Sequence, residues 1–195
     1  MIELEVKAVV PDPDALRDRL RAARALPGFS GLMEDRRFDR DGALGARDEV
    51  LRVRRFRTPE GTVRARVSWK GPVSVDRGYK RRAELEYAVS EGDPAAIFEA
   101  LGYDVTEGID RMVEYYELGG ATLRIEWYPR MDVLLEVEGS PDAIETAVEA
   151  TGIPRADFTP EALPEFVARY EARVGRPAAT SVAGLGDEPP AWPSR

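Results

Sequence analysis

The chain of 195 residues contains neither cysteine nor histidine. The first absence excludes disulfides, thiolate metal sites and thiol nucleophiles. The second removes histidine-ligated zinc centres and Ser-His-Asp triads, so any metal site has to be made of carboxylates. Long apolar runs are missing too. None reaches the length of a membrane span, and the opening MIELEVK lacks the apolar core of a signal peptide, which predicts a cytoplasmic protein with no membrane partner. A net charge of −8 argues against nucleic acid as a partner.

What the chain has in quantity is charge, at 33% of residues against 43% hydrophobic. That balance and the length describe one soluble domain with one substantial core. Three short stretches put acids on alternating residues: Glu3 and Glu5, Glu84 and Glu86, Glu136 and Glu138. In a strand, side chains two apart share a face, so each stretch presents a pair of carboxylates. Oxygen-only donor sets of this kind suit hard divalent cations such as Mg²⁺ or Mn²⁺.

Apolar–charged alternation predicts about eight strands: 2–10, 32–39, 50–56, 63–70, 79–89, 112–118, 122–128 and 132–138. Helices are predicted after Pro13, with Leu16, Leu20, Ala23 and Leu26 at helical spacing up to Pro27-Gly28, after Asp93-Pro94, after Ser140-Pro141 and after Thr159-Pro160. Strands in hairpin order with few helices give an α+β fold with an antiparallel sheet. Residues 1–174 are expected to form the domain. Residues 175–195, rich in Pro, Ala, Gly and Ser, read as a flexible tail.

The polar strand faces carry acids and bases together. They are Glu3, Glu5 and Lys7; Arg52 and Arg54; Arg64, Arg66 and Lys70; Arg82, Glu84 and Glu86; Arg111; Arg124 and Glu126; Glu136 and Glu138. Taken singly, each face could simply be solvated. Jointly they fit a closed eight-stranded antiparallel β-barrel with a wet, charged bore and helices packed outside, covering Leu4, Leu51, Trp69, Leu85, Tyr87, Trp127 and their neighbours. Carboxylates holding metal and arginines holding phosphate would balance such a bore.

These motifs resemble the CYTH superfamily of triphosphate tunnel metalloenzymes, which includes class IV adenylyl cyclases and thiamine triphosphatases. Glu3, Glu5 and Lys7 match its E-x-E-x-K, Leu51-Arg52-Val53-Arg54 its L-R-x-R, and Arg82-Ala83-Glu84-Leu85-Glu86 its R-x-E-x-E. Asp35-Arg36-Arg37-Phe38-Asp39 resembles D-x-Y-F-D, with Arg37 where an aromatic is usual, and Trp69-Lys70-Gly71-Pro72 resembles Y-K-G-P. Glu126 stands where Asp is common, and Ile109-Asp110 where a second base often precedes Arg111.

The resemblance implies that Glu3, Glu5, Glu126, Glu136 and Glu138 hold Mg²⁺ or Mn²⁺. It implies that Lys7, Arg52, Arg54, Lys70, Arg82 and Arg111 grip a triphosphate, with Lys7, Arg52, Arg54 and Lys70 acting in the chemistry. The implied activity is hydrolysis of an organic or inorganic triphosphate by a monomer or homodimer. Cyclisation of ATP to cyclic AMP and pyrophosphate, and noncatalytic polyphosphate binding, remain as alternatives.

Overall fold

The computed structural model describes residues 2–193. Among them nine strands and four α-helices follow in the order β1 (Ile2–Val9), α1 (Pro13–Ala22), β2 (Leu26–Asp39), β3 (Val50–Arg57), β4 (Val63–Lys70), β5 (Ser74–Asp76), β6 (Tyr79–Val89), α2 (Ala95–Ala100), β7 (Asp104–Leu118), β8 (Ala121–Trp127), β9 (Leu134–Glu138), α3 (Pro141–Thr151) and α4 (Leu163–Val174). All pairings are antiparallel. The strand order β1-β9-β8-β7-β2-β3-β4-β6 closes on itself through β1–β6, so eight strands form a ring, with β5 on the outside edge of β6. The expected α+β barrel is the observed architecture.

Local chemistry sets the helix ends. Asp12 caps α1 by accepting from the Ala15 N–H at 2.9 Å, and Pro13 opens the helix. Ser140 and Pro141 do the same for α3, which stops at Gly152 with φ of 68°. The β7–β8 turn needs positive φ at both central residues and finds it in Gly119 and Gly120, at 60° and 86°.

Leu16 and Leu20 of α1 join Ile144, Ala147 and Val148 of α3 over Val6, Leu123, Ile125, Leu135 and Val137 of the barrel wall. Burial of each large side chain stabilises by about 2 kcal/mol. Phe166 of α4 packs on Ile109, Tyr128 and Leu134, whose side chains point inward, so α4 covers one end of the bore.

Four expectations need correction. The first helix ends at Ala22, because Arg24 adopts φ of 60°, and Pro27-Gly28 is strand rather than helix stop. The β7 strand begins at Asp104, where charges on both faces hide the alternation and pairing with β2 supplies the order. The helices do not cover the whole outer wall: Leu85 and Tyr87 on β6 are 51% and 68% exposed, since α1 and α3 sit over β1, β8 and β9 and α2 over β3. Finally, the segment after Gly175 lies against the barrel. Ala179 pairs with Arg130, Thr180 accepts from the Asp110 N–H at 2.8 Å, and Leu185 is buried. Its small residues and prolines leave no periodicity, yet its backbone finds partners on β7 and the β8–β9 loop.

Candidate functional site

Alternation along β1 turns Glu3, Glu5 and Lys7 inward, and the ladder places Glu5 opposite Glu138 and Lys7 opposite Glu136 on β9. On the other side, β6 sets Lys80 against Glu5 and Arg82 against Glu3. Glu3, Glu5 and Glu136 are all buried, and one carboxylate oxygen from each lies within 4.8 Å of the others. Lysines thread between them. The Lys7 ammonium is 2.6 Å from Glu5 and 2.8 Å from Glu136, Lys70 is 2.6 Å from Glu3, and Lys80 is 2.7 Å from Glu5.

The electrostatics of this wall are uneven. Burial, with Glu136 and Glu3 nearby, pushes the Glu138 carboxyl up to about 7. Burial also raises Glu3, with Lys70 only partly offsetting it. Burial acts on Glu136 in the same sense, but Arg124 and Lys7 outweigh it and hold that group well below the usual range. Lys7 stays charged, since Glu136 and Glu5 more than offset its burial. A crowd of buried acids of which some resist ionisation is what a divalent cation would relieve, and the donor set is all oxygen.

The facing wall is basic. Arg52 and Arg54 come from β3, Arg111 from β7 and Arg124 from β8, all buried. Carboxylates hold them, Glu84 accepting from Arg52 at 3.3 Å and Glu136 from Arg124 at 2.6 Å, beside two acids that each hold more than one group. Asp35 accepts from Arg54 at 2.7 and 2.8 Å and from Arg111 at 3.1 Å. Glu126 accepts from Arg111 at 2.9 Å, from Arg124 at 2.7 Å and from the Tyr128 hydroxyl at 2.7 Å. The Arg111 Nη1 atom is buried without a hydrogen-bond partner. Such a donor is costly unless a ligand oxygen meets it.

All eleven residues proposed from the sequence line one cavity of about 1100 Å³: Glu3, Glu5, Lys7, Arg52, Arg54, Lys70, Arg82, Arg111, Glu126, Glu136 and Glu138. They divide differently than expected. Glu126 sits in the arginine wall with its oxygens taken, apart from the Glu3–Glu5–Glu136 group. Arg82 spends its guanidinium on the Gly71 and Asp48 carbonyls, which pins the loop after β4. Arg66 reaches Glu86 at the exposed rim.

Sequence reasoning gave no role to Asp35, Lys80, Tyr128, Phe29, Phe56 and Tyr115, although all of them line the cavity. Lys80 and Asp35 were detectable, because each continues the inward parity of its strand, Lys80 with Arg82 and Asp35 with Arg37. Arg124 of β8, opposite Glu136 on β9, brings a further buried guanidinium to the cavity.

No family model matches the chain, and no curated protein matches it. Solved structures do share its fold. A candidate adenylate cyclase from Vibrio parahaemolyticus superposes with a TM-score of 0.72 at 16% identity, over 86% of this chain and 98% of that one. The PH1012 protein from Pyrococcus horikoshii OT3 gives 0.67 at 20% identity, over 84% and 98%. A candidate adenylyl cyclase from Hippeastrum, HpAC1, described as having a dominant triphosphatase activity, gives 0.59 at 16% identity, over 89% and 96%. The sequence resemblance and the fold therefore point the same way. No described helix is long and apolar enough to cross a membrane.

Proposed function

We propose that the chain is a CYTH-type, divalent-metal-dependent triphosphate hydrolase. One observation carries the reading: a buried acidic group, Glu3, Glu5 and Glu136, and a buried arginine wall share a single cavity. An anion binder has no use for the acids, and a plain cation site has none for the arginines. A triphosphate arriving with Mg²⁺ or Mn²⁺ brings both signs at once, so partners exchange without leaving net charge buried.

Glu3, Glu5 and Glu136 would hold a divalent cation, whose positive charge would offset that of the phosphate chain. The protein's own part is positioning. Arg54, Arg111 and Arg124 are already gripped by Asp35, Glu126 and Glu136, so the guanidinium N–H groups left over, Arg111 Nη1 above all, are the ones offered to phosphate oxygens. Lys7, kept protonated between Glu5 and Glu136, donates to the phosphoryl group and does not serve as a base. Phosphoryl transfer asks for little more than such orientation and charge compensation.

The test is incubation of the purified protein with tripolyphosphate, thiamine triphosphate and ATP, each with Mg²⁺ or Mn²⁺. Phosphate release supports the hydrolase. Cyclic AMP with pyrophosphate would replace it by a cyclase, the reading favoured by the description of the Vibrio neighbour. Binding without either product would leave a polyphosphate receptor.

A further inference from the structure

Beyond the arginines, at the end of the bore away from α4, three aromatic rings meet. Phe29 of β2 stands edge-on to Phe56 of β3, with ring centroids 5.2 Å apart and planes at 80°. Tyr115 of β7 completes the group at 6.3 Å from each. All three rings are half-buried and line the cavity.

Their placement follows from register. Phe56 is two residues past Arg54 on the inward face of β3, about 7 Å along the strand. Tyr115 is paired with Arg124 across the β7–β8 ladder. Phe29 stands inside a bulge of β2, between Pro27 and Ser30. Glycine on each side makes room for it. A Cβ at Gly31 would lie 2.3 Å from the Arg57 carbonyl and 2.9 Å from the Phe29 ring, and one at Gly28 would press on Tyr115 at 3.3 Å. Cations face these rings: Arg54 and Arg66 lie 5.9 and 5.5 Å from the centre of Phe56, and Arg124 lies 5.5 Å from that of Tyr115.

We propose that Phe29, Phe56 and Tyr115 form a docking site for a flat aromatic group carried by the triphosphate, so that the ligand is an organic triphosphate and not bare tripolyphosphate. This rests on the phosphate-binding reading above. A phosphate chain held by Arg54 and Arg124 delivers whatever it is attached to against these rings. A ligand made only of phosphate would leave the exposed parts of these half-buried rings without a ligand partner beside a row of charges. The cavity, at about 1100 Å³, is at the upper end of small-ligand sites, with room for a base or similar ring system besides three phosphates. Stacking needs only a π-face, so the rings select for planarity before identity.

The experiment compares two probes that are not hydrolysed: adenylyl imidodiphosphate, which carries a base, and imidodiphosphate, which does not. Affinities are measured by calorimetry with Mg²⁺ for the full chain and for Phe29→Ala and Phe56→Leu, the latter keeping an apolar side chain in case the former unfolds. Loss of one stacking contact predicts about tenfold weaker binding of the base-bearing probe in each variant. Binding of imidodiphosphate stays unchanged. Equal losses for both probes, no loss for either, or no binding of the base-bearing probe by the full chain would each overturn the docking site. Absence of turnover with every triphosphate, by contrast, would strike the hydrolase reading and leave these affinities to be judged by themselves.

Discussion

Asp35 grips Arg54 with both of its oxygens, Oδ1 on Nε at 2.7 Å and Oδ2 on Nη2 at 2.8 Å. The same carboxylate takes Nη2 of Arg111 at 3.1 Å and stands 3.6 Å from Nη1 of Arg52. One acid on β2 thus aligns arginines from the strands on both sides of it. It remains ionised because Arg54, Arg52 and Arg111 together outweigh the cost of burying it.

Asp35→Asn is expected to destabilise the protein by about 3 kcal/mol, since it leaves buried guanidinium groups without their counter-charge. The pH dependence has a definite sign. A carboxyl whose folded-state pKa lies well below the ordinary 3.8 contributes stability above that value and loses it as pH falls through the lowered one. The gap in melting temperature between wild type and Asp35→Asn should therefore be widest near neutrality and narrow below about pH 4. A gap that widens on acidification would refute this account of the cluster.

Glu5 belongs to the acidic group and also receives Lys7 and Lys80. Glu5→Gln keeps the shape while removing the charge, so turnover supported by Mg²⁺ or Mn²⁺ should fall by at least about a hundredfold with the fold intact. The measurement is phosphate release at rising metal concentration, with circular dichroism as the folding control. Undiminished activity would count heavily against the acidic wall as the metal site.

The strand faces were legible because the rule behind them is local: alternation sets which side chains share a face, whatever the strands pair with. Alternation put Glu3, Glu5 and Lys7 on one face and Arg52 and Arg54 on another, and the joint pattern of acids and bases turned those faces to the bore. The division of labour was not legible, because it depends on register across the ring. Asp35 and Asp39 belong to one motif, yet Asp35 faces the arginines while Asp39 accepts from the Leu44 and Gly45 N–H groups and shapes a turn. The resemblance implies a metal-ligand role for Glu126, while the contact it makes with Arg111 comes from the neighbouring strand and cannot be read from its own. The aromatic trio draws on three strands and a bulge, and no single stretch of sequence displays it.

Arg111 uses Nε and one terminal nitrogen on Glu126 and Asp35 and leaves Nη1 without a partner. Arg111→Lys keeps the charge but loses the fork, so it cannot hold both acids and still offer a donor to phosphate. KM for the preferred triphosphate should rise about tenfold, with kcat changed less, the pattern of lost uniform binding. A fall in kcat at constant KM would instead assign Arg111 to the transition state alone.

The segment after Gly175 has a bearing on the same arginine. Asp110, the residue before Arg111, donates its N–H to the Thr180 carbonyl at 2.8 Å and accepts from the Val182 N–H at 2.9 Å, while its other oxygen holds Arg36. A chain ending at Gly175 loses these bonds, the Arg130–Ala179 bridge and the burial of Leu185. Against the entropy of ordering the segment, the net loss should be about 2 kcal/mol, a drop of about 5 °C in melting temperature for a chain of this length. Because the outer support of β7 goes while Arg111 itself remains, KM should rise in the same direction as for Arg111→Lys but by less. A truncated chain with unchanged melting temperature and KM would show that the segment lies on the barrel without bracing it.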